Sequence, residues 1–421
     1  MTPEHSISLT PPQAGLLECL HVDAERPCAQ TLAALEPDDW TTLERLAKAS
    51  RVSYQVRRRL ERADLKPLAP GDVMDRLQGT VQAQTARYLR RRATLAELLR
   101  ACNAQALPVM VLKGAHLAEL VYDSPAAREM SDVDLLFKPD DLPRATRLFK
   151  QLCYAIPHDA QDLHELAPAL KEYTLRHPRW GVSVDVHWST TGDESLADEL
   201  DQLLWRRAER LDIAGTQARA MSREDLLLHL CYHASHQHHF AHVGLRPLAD
   251  LAALCRLDPP LDWDAIAHRA EQWGWRRGTG LSLALAKHCL GAAVPSEVLD
   301  RLTPQGTNAD VPYVAAIEAM LTESSNEHSA PGTLHRIWSA PTLARRVSVA
   351  LERLLPPTSQ LIVEFGLSDR QQLPPRAWLY LRRIGRLIPR YGRRALEIAR
   401  GDPRRLAELQ RRQQLETWLK P

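Results

Sequence analysis

The sequence lacks the features that mark membrane, secreted and disulfide-bonded proteins. It contains no apolar run of about 18 residues, so no membrane-spanning helix is expected. Its seven cysteines are dispersed and form no C-x-x-C pair, which favours reduced thiols over a disulfide framework or a zinc site. The first residues have neither the basic nor the apolar region of a signal peptide. We therefore expect a soluble, cytoplasmic protein.

The sequence also lacks a strong charge bias and has few aromatic residues. Its 54 basic and 52 acidic residues give a formal net charge of +2, and only 5% of the residues are aromatic. Neither a global field nor base stacking therefore argues strongly for nucleic acid, which remains a weakly supported partner. Arginine is nevertheless frequent from Arg376 onward, so a contact with a polyanion would be local to that segment.

Two carboxylates on one predicted strand are the most informative feature that is present. Asp132 and Asp134 lie two residues apart in Ser-Asp-Val-Asp-Leu-Leu-Phe, and alternate side chains of a strand point the same way. Asp185, in the alternating stretch Val-Ser-Val-Asp-Val-His-Trp, offers a third carboxylate. Neighbouring carboxylates repel unless a cation lies between them, and hard divalent cations prefer oxygen ligands. The three acids predict a site for Mg²⁺ or Mn²⁺.

A Lys-Gly turn precedes this strand, and the combination resembles a known superfamily. A buried strand is predicted before Lys113 and Gly114, and a helix after them. This turn, the Asp-x-Asp strand and the later Asp resemble the polymerase-β-like nucleotidyltransferases, most closely the uncharacterised nucleotidyltransferase family. The resemblance covers about residues 105 to 255, although the superfamily usually has Gly-Ser or Gly-Gly where this chain has Lys-Gly-Ala. The matching motifs are Val111-Leu-Lys-Gly114, Arg128-x-x-Ser-Asp-Val-Asp-Leu-Leu136, Val184-Asp-Val-His-Trp188 and His229-Leu-Cys-Tyr-His233.

The resemblance implies an enzyme that transfers an NMP group from an NTP to an acceptor and releases pyrophosphate. The acceptor, a small molecule or a protein, is not identified by the sequence. The resemblance assigns catalysis and Mg²⁺ binding to Asp132, Asp134 and Asp185. Asp185 could also accept the proton of the attacking hydroxyl. Contacts with the nucleotide are expected from Lys113, Gly114, Arg128 and Ser131, and an acceptor pocket from His187 and His233.

Other interpretations of these residues stay open. Lys113 could simply be exposed on its turn, and Arg128 could form an ion pair with Glu129, Asp132 or Asp134. His187 could orient Asp185 or pack beside Trp188. Asp134, read as a solvent-facing acid at a strand end, should contribute little to stability, so that Asp134→Asn would leave the fold intact. The protein itself could be a catalytically silent relative that binds a nucleotide or a partner.

Three further histidines belong to a predicted helix that begins near Ser222. Their spacing of four and three residues places His229, His233 and His236 on one face of that helix. Packing, lining of a substrate pocket and binding of a transition metal are the three interpretations. No acidic residue completes a familiar metal spacing, which makes the last of them the weakest.

The predicted fold class is α+β, with a small mixed sheet forming a nucleotidyltransferase core inside a mostly helical chain. Five regions are expected along the sequence. They are an N-terminal helical region (1–105), the core (106–195), a helical domain that closes the cleft (196–300), a linker-like region (301–335) and basic C-terminal helices (336–421).

Overall fold

The computed structural model describes residues 8–23, 28–122, 124, 127–154, 171–192, 194–303, 310–321, 337, 342–356, 361 and 375–420. Most of the predicted linker-like region, at positions 304–309 and 322–335, lies outside the described residues. None of the described helices is long and apolar enough to cross a membrane.

The described part of the N-terminal region is helical. Proline in the first turn starts two of its helices, since the fixed φ of proline suits that position. The five helices are α1 (Pro11–Leu20), α2 (Ala29–Ala33), α3 (Pro37–Ala49), α4 (Ser53–Leu60) and α5 (Gly71–Ala104).

Six described strands form one mixed sheet, which confirms the predicted α+β class. Their order across the sheet is β3-β4-β2-β1-β6-β5, with β2 parallel to β4 and β1 parallel to β6. The remaining neighbours are antiparallel. The strands are β1 (Met110–Val111), β2 (Val133–Leu136), β3 (Glu172–Arg176), β4 (Ser183–His187), β5 (Glu209–Ile213) and β6 (Thr216–Ala220).

The two faces of the sheet belong to different apolar cores because successive side chains alternate. Val133 and Leu135 join a core with the C-terminal half of α5, and helix α7 (Leu142–Gln151) packs into the same core. Leu136 faces the opposite way and belongs to a larger core that is built mainly from helices. The strand acids Asp134 and Asp185 therefore point toward the helical side of the molecule.

The hairpin of β5 and β6 was not predicted, because the chain was expected to be helical from about residue 196. Helix α8 (Glu194–Arg207) fits that expectation, but the next twelve residues complete the sheet. The hairpin turns at Ala214 and Gly215, both with positive φ, as a type I′ turn requires. Its strands are rich in charged and small residues, so they lack the β-branched and aromatic pattern by which strands are recognised.

The chain after the hairpin is helical. Ser222 caps the next helix by accepting a hydrogen bond from the backbone N–H of Asp225, as its sequence predicts. A π-helical segment, His233–Gln237, follows that helix directly. The helices are α9 (Arg223–Tyr232), α10 (Arg246–Leu254), α11 (Trp263–Gln272), α12 (Arg276–Leu290), α13 (Ser296–Leu302), α14 (Asp310–Leu321), α15 (Leu343–Leu354), α16 (Arg376–Ala399) and α17 (Pro403–Leu419). Helix α6 (Lys113–Leu120) lies earlier, between β1 and β2.

Candidate active site

Three carboxylates meet where β2 and β4 run side by side. Asp134 and Asp185 are direct neighbours in the parallel register of these strands. Asp132 lies two residues before Asp134 and so shares its side of the sheet. One oxygen from each of the three side chains lies within 4.8 Å of the others. Among the described residues this is the one group of three or more potential ligands that could hold a metal ion.

Asp134 is buried and already has two cationic partners. It is 7% exposed, and its Oδ1 accepts hydrogen bonds from Lys113 Nζ at 3.1 Å and from His187 Nε2 at 2.9 Å. Burial alone would raise its pKa, but these two charges hold the pKa well below its usual range. The expectation of a solvent-facing acid that contributes little to stability is therefore wrong, because Asp134 belongs to a buried ion network.

His187 is the link that extends this network to a fourth residue. Its Nδ1 lies 2.8 Å from Glu172 Oε2, while its Nε2 contacts Asp134. Burial opposes protonation, but the hydrogen bonds to the two carboxylates outweigh it and raise the pKa of His187 to about 9. His187 is therefore an imidazolium at neutral pH, with both nitrogens donating. Lys113, Asp134, His187 and Glu172 form a neutral quartet of alternating charges.

Asp185 has the opposite environment from its neighbour Asp134. Thr174 donates a hydrogen bond to its Oδ1 at 2.7 Å, but no described cation forms an ion pair with it. Burial, reinforced by the charges of Asp132 and Asp134, raises the pKa of Asp185 to about 6. A carboxylate held near two others without a counter-ion is destabilised in its charged form, and a cation would relieve this.

The three carboxylates fit a hard divalent cation. The donor set consists of carboxylate oxygens, which suit Mg²⁺ or Mn²⁺ better than a soft metal. Both contacts of Asp134 use Oδ1, so within the described part of the chain its Oδ2 is the oxygen that stays available. Among the described residues Asp185 has no ion-pair partner, and Asp132 Oδ2 accepts a hydrogen bond from Ser131.

Gly114 lies in the first turn of α6 and lines the same cavity, but its surroundings differ from the expected open phosphate turn. A Cβ at this position would lie 2.6 Å from Nη1 of Arg128 and 3.1 Å from Met130. A side chain at this position would therefore displace the guanidinium of Arg128, which is buried. Whether the backbone of Gly114 also contacts phosphate stays a prediction.

Arg128 forms a buried ion pair, but with none of the three acids that the sequence suggested. Its Nε and Nη2 bind both oxygens of Asp250 on α10, at 3.0 and 2.9 Å. Tyr122 donates a further hydrogen bond to the same carboxylate. The pair connects the segment before Asp132 to the helical unit that follows the sheet. Arg128 still lines the cavity, and its Nη1 has a single long contact, 3.5 Å from the carbonyl oxygen of Glu129.

Neutral histidines line another wall of the cavity. His233 and His238 approach each other with 3.2 Å between their Nε2 atoms. Burial lowers the pKa of both, to about 4 for His238, so both are uncharged at neutral pH. His236 instead stacks on Tyr232, and neither ring nitrogen of the buried His229 has a partner among the described residues. The three histidines of the predicted helix face thus have separate environments and form no metal-binding group.

The cavity that joins these walls has a volume of about 380 Å³. Such a volume lies within the ordinary range of small-molecule sites. Several of its lining residues were not singled out from the sequence: Arg51, Glu172, Gln237, His238, Arg246 and Asp250. They come from the N-terminal helices, the edge strand and the later helical unit. No local motif marks them, so only the fold brings them together.

The mixed sheet presents clustered carboxylates to a cavity lined by basic side chains, which combines ligands for a cation with side chains suited to phosphate. The chain belongs to the uncharacterised nucleotidyltransferase family, whose model matches residues 36–291. Its general activity is therefore nucleotidyl transfer. The match is wider than the motif region around residues 105 to 255 and includes α3, α4 and the helices through α12. No curated protein and no solved structure matches the chain at a significant level.

Proposed function

We propose that this protein is an Mg²⁺- or Mn²⁺-dependent enzyme that transfers an NMP group from an NTP to an acceptor hydroxyl. The observation that carries the proposal is the convergence of Asp132, Asp134 and Asp185, with oxygens within 4.8 Å of one another, at a cavity lined by basic residues. A divalent cation held by these three side chains would neutralise charge on the triphosphate and favour ionisation of the acceptor hydroxyl.

The reaction places defined demands on the residues of the cavity. The acceptor oxygen forms a bond to the α-phosphorus, the bond from that phosphorus to the bridging oxygen breaks, and pyrophosphate leaves. Asp185 is the proposed acceptor of the hydroxyl proton, since none of the described cationic side chains forms an ion pair with it. Basic side chains at the cavity would bind phosphate oxygens, and Lys113, Arg128, Ser131 and the turn at Gly114 are the proposed nucleotide contacts.

The two histidines of the proposed acceptor pocket receive different roles. His187 is buried, and its two ring nitrogens contact Asp134 and Glu172. We assign it the positioning of Asp134 in place of a contact with the acceptor. His233 lines the cavity and is uncharged, so it stays the candidate for a hydrogen bond to the acceptor.

The test is release of pyrophosphate from each of the four common NTPs, in the presence of Mg²⁺ and fractionated cell extract as a source of acceptor. Wild type should release pyrophosphate with at least one NTP and one fraction. The double variant D132N/D134N should lose this activity by orders of magnitude, because the carboxylates balance charge that develops at the phosphates. Asp212→Asn, an exposed acid on strand β5 of the same sheet, is the matched control and should retain it. Full activity in the double variant would contradict the proposed role of these acids.

A catalytically silent, nucleotide-binding relative is the second candidate, and one observation favours it. The ammonium of Lys113 already neutralises Asp134 without any metal, so the site has a stable charge arrangement of its own. This candidate predicts NTP binding that needs no divalent cation and yields no pyrophosphate with any acceptor fraction. Calorimetry with and without EDTA, beside the pyrophosphate assay, separates the two.

A further inference from the structure

Two arginines from opposite ends of the family-matched region meet at the cavity. Arg51 lies in the turn between α3 and α4, and Arg246 is the first residue of α10. Both line the cavity that contains the three carboxylates. They are almost 200 positions apart in the sequence, and neither belongs to a motif that the sequence displays.

Close backbone packing fixes the two turns against each other. Gly244, two residues before Arg246, has a φ of +60°, and a Cβ there would lie 2.5 Å from the Cα of Ser50. Only glycine allows this approach. Arg51 itself has a φ of +58°, an uncommon conformation for a residue with a side chain. Such strain persists where the surrounding structure enforces it, and it concentrates at functional positions.

Neither guanidinium forms an ion pair with a described carboxylate. Arg51 Nη1 donates to Ser131 Oγ at 3.2 Å, and Arg246 Nη1 donates to the carbonyl oxygen of Glu129 at 3.1 Å. Nε of Arg246 is buried and has no hydrogen-bond partner among the described residues. Burial, together with repulsion from Arg128 and Arg51, lowers the pKa of Arg246 to about 10. A guanidinium that is partly removed from water is destabilised unless an anion pairs with it.

The charges at the cavity show which groups remain available to a ligand. Lys113 pairs with Asp134, Arg128 pairs with Asp250, and Glu172 pairs with His187. When these pairs are set aside, two carboxylates and two guanidiniums remain: Asp132, Asp185, Arg51 and Arg246. The carboxylates fit a cation, so the guanidiniums are left for an anion. Each guanidinium has a fork of N–H donors that matches phosphate oxygens.

We propose that Arg51 and Arg246 form a phosphate subsite, contributed by the helical units that precede and follow the sheet in the sequence. This inference rests on the proposed function for its substrate class, which is a phosphate group carried by the NTP or by the acceptor. The subsite lies at the same cavity as the carboxylates but uses none of the residues of the Lys-Gly turn. Both arginines lie within the residues that the family model matches, 36–291.

The experiment measures phosphate binding by calorimetry, separately from any transfer reaction. We would titrate the protein with three probes: pyrophosphate, an NTP and the corresponding NMP. A fourth titration adds inorganic phosphate to protein that is saturated with a non-hydrolysable NTP analogue. Each titration is made in EDTA and again with Mg²⁺. Arg51→Gln and Arg246→Gln should each weaken binding about tenfold or more, because each variant removes charge-assisted hydrogen bonds to phosphate oxygens. Arg246→Lys keeps the charge but loses the fork, and should give an intermediate loss.

Arg91→Gln is the matched control. Arg91 donates to the carbonyl oxygen of Ser131 at 2.8 Å, so it holds the same segment as Arg51 but is not among the residues that line the cavity. Arg91→Gln should bind every probe as wild type does. If it lost as much affinity as the other variants, Arg51 and Arg246 would only support the segment, and the subsite would be refuted. Melting temperatures of all variants verify folding.

The probes separate the two sources of phosphate. A loss with pyrophosphate and the NTP, but not with the NMP, assigns the subsite to the triphosphate. A loss confined to inorganic phosphate on the analogue-saturated protein assigns it to a phosphorylated acceptor. Wild-type affinity of both glutamine variants for every probe, or no phosphate binding by wild type, overturns the proposal. If phosphate binding depended on the two arginines but no pyrophosphate were released in the transfer assay, the subsite would be supported and the proposed nucleotidyl transfer would be refuted.

Discussion

Two aspartates that are neighbours in the sheet should affect the stability of the metal-free protein in opposite directions. Asp134→Asn removes the charge that Lys113 and His187 share, and these cations stay buried. Removing one partner of a buried ion pair costs about 3–5 kcal/mol. We expect about 3 kcal/mol for this variant, because His187 keeps its contact with Glu172.

Asp185→Asn should stabilise the metal-free protein. The pKa of Asp185 is about 6 in the folded state, against an ordinary value of 3.8. Between these values the folded protein binds more protons than the unfolded chain, so stability falls as the pH rises from about 4 to 6. Above pH 6 the difference between the two pKa values lowers the free energy of unfolding by at most about 3 kcal/mol. The real loss is smaller to the extent that water screens the charge of the side chain. Asparagine avoids this cost, and its Oδ1 can still accept the hydrogen bond of Thr174.

The assay is thermal unfolding of wild type, Asp134→Asn and Asp185→Asn in EDTA at pH 5 and pH 8, repeated with Mg²⁺. At pH 8 the melting temperature should rise for Asp185→Asn and fall for Asp134→Asn. The gain from Asp185→Asn should shrink to about half at pH 5 because Asp185 is then largely protonated in the folded state. Mg²⁺ should stabilise wild type most, since it binds the folded state. An Asp185→Asn variant less stable than wild type at pH 8 would refute this account of the electrostatics.

Three further predictions concern the surroundings of the carboxylates. In chemical denaturation, Gly114→Ala should destabilise the protein by about 1–3 kcal/mol because the new methyl group displaces Arg128. The control Gly79→Ala should be neutral or stabilising, since no atom beyond the adjacent residues and the local helix backbone lies within 4 Å of the added Cβ. Asp250→Asn should cost about 3–5 kcal/mol in the same assay, because it leaves a buried guanidinium unpaired, and a cost near zero would contradict the buried pair. The imidazole of His187 should titrate by NMR near pH 9, and a midpoint near 6.5 would show that it lacks its carboxylate partners.

The cluster of acids could be predicted from the sequence because it depends on local rules. The period of a strand places Asp132 and Asp134 on one side, and the similar apolar flanks of Asp185 indicate a second strand of the same sheet. Membership of the family and the α+β class followed from the same motifs and are confirmed. The environments of the acids could not be predicted, since Lys113 and His187 reach Asp134 from other elements of the fold.

Long-range partners account for the main differences between sequence and structure. Arg128 pairs with Asp250, 122 positions away, although the sequence suggested only acids close to it. Glu129 accepts a hydrogen bond from Arg246 across 117 positions. The periodic patterns of the sequence predict helices and strands but not such contacts, because the contacts depend on how the helical units pack against the sheet. The β5–β6 hairpin was missed for a local reason, the weak strand propensity of its residues.

The helical units belong to the site as much as the sheet does. Strand β1 has two residues and is held between β2 and β6, so a sheet that ended near residue 195 would leave this short strand as an unprotected edge. The face that carries the carboxylates is covered by the helical core. Arg51 and Arg246, which line the cavity at this face, come from two turns that pack against each other. A phosphate bound here would be neutralised by the two arginines and by a cation that the carboxylates would hold, so its binding would draw on three separate parts of the chain. The site is thus complete only when the N-terminal helices, the sheet and the helices after β6 are packed together.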